Sequence, residues 1–177
     1  MRFILLILLL PLGIYGQTSL SGIVNNYYSV SAYNTNTATL TVGSTAGLSI
    51  GDTLLLIQMK GASINTNSTN AYGNVDDYNG AGSYELVVVC DLAGGDVILS
   101  EHPEYNYNAG GAMQLISFPD VTNISIDGEV TAQEWDGNSG GVVVMRASNT
   151  ITLNDNINVD YQGFRGGTHI ESPFTCS

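Results

Sequence analysis

Apolar and polar positions alternate in twos along most of this chain. Between Ala38 and Met59, Leu40 and Val42 are separated by Thr, and after the turn Ile50-Gly51-Asp52 the run Leu54-Leu55-Leu56-Ile57 is unbroken. A period of two sends successive side chains to opposite faces of a strand, and a short apolar run bounded by turn residues fits a strand covered on both faces. The pattern predicts two strands joined by a glycine turn here. It predicts further strands at Tyr84 to Cys90 and Asp96 to Ser100, separated by Ala93-Gly94-Gly95, and at Met113 to Phe118 after Gly110-Gly111. Gly61 to Ser83 is rich in Asn, Ser, Thr, Gly and Tyr, has no apolar period, and reads as a long loop. Beyond the first residues no stretch carries a capped helical spacing, so the expected fold class is all-β.

The last third contains a repeat. Ile124, Ile126, Val130 and Ala132 recur 27 positions later as Ile151, Leu153, Ile157 and Val159. Each copy reads as strand, polar turn, strand, with Asp127-Gly128 and Asn154-Asp155 at the turn, where such residues tolerate a sharp corner. Val142 to Met145, entered through Gly140-Gly141, is a third short strand between the copies. Three short strands per 27 residues is the arithmetic of one coil of a parallel β-helix, whose coils stack over a shared apolar column. A β-sandwich would also give short alternating strands; the repeat favours the solenoid. A fainter echo at Val97, Leu99, Leu115 and Ile116 reads either as a preceding coil or as coincidence.

The N-terminus is an address. Arg2, the apolar stretch Phe3 to Leu10, the breakers Pro11 and Gly13, and a cut after Gly16 describe a secretory signal peptide; the apolar run falls short of the roughly 20 residues that span a bilayer. The expected organisation is a signal peptide over 1–16, a lead or capping strand over 17–37, a leading β domain over 38–118, and β-helix coils over 119–177. A solenoid stopping at Ser177 would leave its last coil uncovered, so the coils are expected to continue in a longer protein.

Charge narrows the partners. Four Lys and Arg against 16 Asp and Glu give a net charge of −12, which leaves no basic face for nucleic acid and no attraction to an anionic membrane. Cys90 and Cys176 are the two cysteines. An exported protein could bridge them; alternatively Cys90, at the end of Leu86-Val87-Val88-Val89, is a buried core thiol.

Four segments carry a family resemblance: Gly51-Asp52-Thr53-Leu54-Leu55-Leu56-Ile57-Gln58-Met59-Lys60-Gly61-Ala62, Asn79-Gly80-Ala81-Gly82-Ser83-Tyr84-Glu85, Thr131-Ala132-Gln133-Glu134-Trp135-Asp136-Gly137-Asn138-Ser139-Gly140-Gly141, and Gly163-Phe164-Arg165-Gly166-Gly167. Together they resemble the N-terminal region of very large secreted surface proteins of Bacteroidetes-type bacteria, the adhesins and gliding-motility-associated proteins exported by type IX secretion. The resemblance spans about Ala38 to Gly167 and contains no catalytic motif. It implies a secreted, outer-surface location, the type IX secretion machinery as a partner, and surface attachment as the role.

Chemistry is sparse. His102 and His169 are 67 positions apart, and neither has a neighbouring ligand at a metal-binding spacing. Arg165 is the best basic candidate for a lyase-type site, against a structural role at the end of a coil. Two loops are rich enough in oxygen for calcium, which takes about 6–8 such ligands: Asp76 and Asp77 with Asn74 and Asn79, and Asp155 and Asp160 with Asn154 and Asn156. Neither matches a defined calcium loop, and Asx residues occupy turns for backbone reasons alone. No other cofactor is expected. Ten tyrosines, among them Tyr27, Tyr28 and Tyr33, include the loop residues Tyr72, Tyr78, Tyr105 and Tyr107, which combine apolar area with a hydroxyl where glycans or proteins stack; covering the open end of the solenoid is the equal alternative. Two functions stand: a non-catalytic N-terminal adhesin module that contacts extracellular surfaces or glycans, or the start of a β-helical polysaccharide-degrading enzyme.

Overall fold

The computed structural model describes residues 16–164. The signal peptide, Arg165, His169 and Cys176 lie outside them, except for Gly16 at the cut. The described residues are all-β, with eleven strands and one 3-10 turn, Ala109–Gly111. None of their helices is long and apolar enough to cross a membrane.

Six strands close into an antiparallel barrel: β2 (Asn26–Asn34), β3 (Thr39–Val42), β4 (Thr53–Gln58), β7 (Tyr84–Ala93), β8 (Asp96–Leu99) and β9 (Met113–Ser117), in the order β2-β3-β8-β7-β4-β9 and back to β2. Closure leaves no edge whose backbone groups lack partners. Alternation fills the interior. Leu40, Leu54, Leu56, Val97, Met113 and Leu115 are fully buried there, beside Val30, Val87, Val89 and Leu99. Each such side chain contributes roughly 1.5–3 kcal/mol of transfer free energy.

The predicted pairing needs revision in several places. β3 and β4 are not a hairpin: β3 pairs with β2 and β8, β4 with β7 and β9. The barrel begins at Asn26, so the segment 17–37 is divided between two sheets. Val97, Leu99, Leu115 and Ile116 belong to barrel strands, so the fainter echo is coincidence. Cys90 is exposed rather than buried, because alternation along β7 turns Val87 and Val89 inward and Leu86, Val88 and Cys90 outward. The long loop carries its own small hairpin, β5 (Ser63–Ile64) with β6 (Val75–Asp77).

The second sheet is parallel and three-stranded: β1 (Thr18–Ile23), β10 (Asp120–Thr131) and β11 (Arg146–Leu153). Ile124 pairs with Ile151 and Ile126 with Leu153, which is the 27-residue repeat in register. Thr18 pairs with Ile124 and Leu20 with Ile126, so β1 is an earlier rung, and the whole barrel is inserted between it and β10. Asp127 and Gly128 lie within continuous β10 rather than at a corner, and Val142 to Met145 is extended but joins no strand ladder.

The rungs are tied twice. Inside, Ile124, Ile126 and Val130 are fully buried against Leu20, Val24, Val121, Val143, Met145 and Ala147. Outside, Asp127 accepts hydrogen bonds from Ser19 on β1, from Ser125 beside it, and from Asn154 after β11, at 2.6, 2.6 and 2.8 Å. These bonds hold its carboxyl below the ordinary carboxylate range, Ser125 contributing most. Asp120 and Arg146 form an ion pair one rung apart, and Asn149 donates to Asn123 at 2.8 Å.

Candidate functional site

One end of the barrel carries the long loops 59–83 and 100–112, and a buried amide organises it. Gln58, the last residue of β4, is fully buried; its Nε2 donates to the carbonyls of Lys60 and Asn79 at 2.6 and 2.9 Å, and its Oε1 accepts from the Asn108 amide at 2.8 Å. One side chain thus fixes three loop segments. Gly111 fits because it lacks a side chain: a Cβ there would stand 2.3 Å from Gln58 Nε2 and 2.5 Å from the Lys60 carbonyl oxygen.

Glu85 anchors the other loop. Its position in β7 faces it inward with Val87 and Val89, and its carboxylate accepts from the backbone amides of Glu104 and Tyr105 at 3.1 and 3.3 Å. Tyr107 lies beneath, in the barrel core, only 8% exposed, with its ring edge-on to Tyr105 at 6.4 Å. Burial, then the adjacent Glu85 charge, raises the Tyr107 phenol far above the usual tyrosine range. Glu85 is near enough for that effect, yet the Tyr107 hydroxyl is buried without a hydrogen-bond partner. Tyr33 is raised by the same two causes, burial first.

The predicted aromatic residues therefore divide. Tyr107 is a core residue, not a contact residue. Tyr105 is half-exposed and, with Tyr84, Ser83, Gly82 and Ala81, lines a shallow cleft of about 440 Å³. Tyr72 and Tyr78 stand exposed in the loop around the β5–β6 hairpin and are not among the residues that line the cleft. Tyr84 was not singled out by its loop-like surroundings, because it sits in a strand; the readable signal is the outward series Tyr84, Leu86, Val88, which leaves Glu85 on the inner face at the barrel mouth.

Three of the four candidate calcium carboxylates are turned to their own chain. Asp77 Oδ1 accepts from Asn79 N–H at 2.8 Å, Asp76 faces Asn65 across the hairpin, and Asp155 Oδ1 accepts from Asn156 N–H at 2.7 Å. The Asp160 amide donates to Asn158 Oδ1 at 3.0 Å. Among the described residues no three His, Cys, Asp or Glu side chains converge as a metal site. His102 is exposed beside Glu85, Ser100, Glu101, Pro103 and Glu104 in a second shallow cleft.

A further cluster joins barrel to rungs. Asn25 Nδ2 donates to the carbonyls of Ser117 and Val144, its Oδ1 accepts from Val144 N–H, and the Tyr27 hydroxyl donates to the Val142 carbonyl at 2.6 Å. Lys60 Nζ donates to the Gly137 carbonyl at 3.0 Å and lies 5.7 and 5.8 Å from the ring centres of Trp135 and Phe164. Side chains thus hold 137–145 against the barrel, where no strand ladder does.

No family model matches the chain, and no curated protein is similar to it in sequence. Among solved structures it is similar to a tailspike of an Acinetobacter baumannii bacteriophage, in complex with that bacterium's capsular saccharide. The identity is 12% and the TM-score 0.42, covering 76% of this chain and 22% of the tailspike. A tailspike of a Pseudomonas phage is similar at 16% identity and TM-score 0.33, over 67% of this chain and 20% of that one. The chain spans about a fifth of the length of the tailspikes it matches.

Proposed function

We propose that this chain is the exported N-terminal module of a larger cell-surface adhesin, in which the parallel sheet opens a β-helix and the barrel is a head inserted in its first coil. Its role is non-catalytic attachment to extracellular surfaces or glycans, and it reaches the cell exterior through its signal peptide and type IX secretion.

The observation that carries this reading is a contrast between two rungs of one repeat. Ile124, Ile126, Val130 and Ala132 are at most 2% exposed, whereas Ile151, Leu153, Ile157 and Val159, 27 positions on, are 44–63% exposed. With Gly141, Val143, Val144 and Met145 they form one open apolar face. Equivalent side chains buried in one rung and bare in the next are what an unfinished stack presents, and a further coil of the same kind would bury them. Two of the carboxylates that line the clefts have structural partners: Glu85 is committed to backbone amides and Asp136 to the amides of Asn138 and Ser139.

The test is the size and behaviour of the native protein. An antibody against 65–79, a largely exposed segment, should detect a species of several hundred kilodaltons that shearing releases from cells. Deleting the module should abolish attachment or gliding and leave glycan digestion unchanged. A small species free in the medium would remove the adhesin reading, and loss of glycan digestion would favour the enzyme.

A further inference from the structure

We propose that the cleft between Tyr84 and Tyr105 binds a neutral saccharide chain. This deepens the attachment reading and rests on it.

The two tyrosines are exposed, 64% and 51%, on backbone that the fold holds in place. Tyr84 lies in β7, paired with Ile57 of β4. The Tyr105 N–H donates a hydrogen bond to Glu85, and its ring meets buried Tyr107 edge-on. A tyrosine on fixed backbone has only two side-chain torsions to lose on binding, which keeps its entropy cost low. The wall between them is Ala81, Gly82 and Ser83, whose backbone is committed within the fold: Gly82 N–H donates to the Gln58 carbonyl, and the Ser83 carbonyl accepts from Gln58 N–H. Gln58 therefore fixes the wall as Glu85 fixes the ring. Among the described residues the hydroxyls of Ser83, Tyr84 and Tyr105 have no hydrogen-bond partner, which leaves three donor–acceptor groups beside two apolar ring faces. The size falls within the roughly 300–1,000 Å³ of small-ligand sites.

Charge selects among ligands. Among the described residues neither Lys nor Arg lines the cleft, Glu85 and Glu104 adjoin the two tyrosines in sequence, and the chain carries −12 overall. Uronic-acid and sulfated polymers are repelled; a neutral chain with apolar sugar faces and hydroxyl rims fits.

The experiment titrates the full-length chain with cellohexaose, N-acetylchitohexaose and hexagalacturonate, following tyrosine ring signals by NMR and affinity by calorimetry. At least one neutral oligosaccharide should shift the Tyr84 and Tyr105 signals saturably. Y84A and Y105A should each weaken it tenfold or more, while the hairpin variant Y72A stays within about threefold. No saturable binding of either neutral probe, binding unchanged in Y84A/Y105A, or equal binding of hexagalacturonate would overturn the proposal. Attachment separates the two readings. If module deletion abolishes attachment although no probe binds, this cleft is not the contact and the adhesin reading stands; if deletion leaves attachment intact, the adhesin reading itself fails.

Discussion

The Gln114 side chain and the Gly140 backbone exchange two hydrogen bonds: Nε2 donates to the Gly140 carbonyl at 3.1 Å, and the Gly140 N–H donates to Oε1 at 2.9 Å. Both residues are buried, so the amide acts as a one-residue strand that pairs the barrel's outer face with the segment between rungs. Q114L would strand two buried backbone groups, and denaturant titration should show a loss of about 2–4 kcal/mol. G140A should be comparably damaging: Gly140 has φ +98°, and a Cβ would stand 2.7 Å from the Glu134 carbonyl oxygen.

Gln58 makes a different prediction, because it ties loops rather than sheets. Q58L should leave the barrel interior intact while raising hydrogen exchange at Asn108, whose amide donates to the Gln58 side chain. G111A should do the same, since the added methyl displaces Gln58. Unchanged exchange in either variant would remove Gln58 from the role of loop organiser.

The Tyr107 hydroxyl is buried and unpartnered. Y107F removes a desolvated polar group while keeping the ring, so it should be neutral or stabilising by up to about 1 kcal/mol. A marked destabilisation on melting would mean that the hydroxyl has a partner in solution.

Acid should loosen the rung sheet through Asp127. Its folded-state pKa lies below the ordinary 3.8, so its contribution is present in full above that value and is lost as pH falls through the folded value. Asp120, lowered chiefly by its hydrogen bond from Arg146, and Asp136, lowered by the amides of Ser139 and Asn138, act in the same direction. Melting temperature should be flat from pH 7 to about 5 and drop below about 4, with a shallower drop in D127N; identical acid profiles would remove Asp127 from the cause.

Ile126 and Leu153 occupy the same column one rung apart, fully buried and 63% exposed respectively. I126A should cost about 2–5 kcal/mol, whereas L153A in the 177-residue chain should stay within about 0.5 kcal/mol. In the native cell-associated protein the L153A cost should approach that of I126A if another coil covers it.

The strands, the β7–β8 turn and the 27-residue register were legible because each rests on local periodicity. Closure of the barrel was not, since strand partners such as β4 and β9 lie about sixty residues apart and nothing local encodes the pairing. Cys90, at the end of the apolar run Leu86 to Val89, reads as buried from composition, although only alternate residues of β7 face inward. Thr18-Ser19-Leu20-Ser21-Gly22 echoes Ile124-Ser125-Ile126-Asp127-Gly128, but the barrel puts about a hundred residues between the copies, well off the 27-residue period. The Asn-rich surroundings of Tyr107 left a contact role and a covering role level: a loop residue can turn inward and plug a barrel mouth, and composition does not record direction.

The inserted barrel also dictates an order of events. A chain emerging from its N-terminus presents β1 long before its partner β10 exists, and joining them across about a hundred residues of loose chain would cost roughly 4 kcal/mol in loop closure. Once the barrel has closed, Asn25 touches the Ser117 carbonyl at 3.1 Å, and the ends of β1 and β10 are neighbours. Closure of the barrel therefore shortens the span that β1 and β10 must bridge, whereas β10 and β11 meet across only a 27-residue offset.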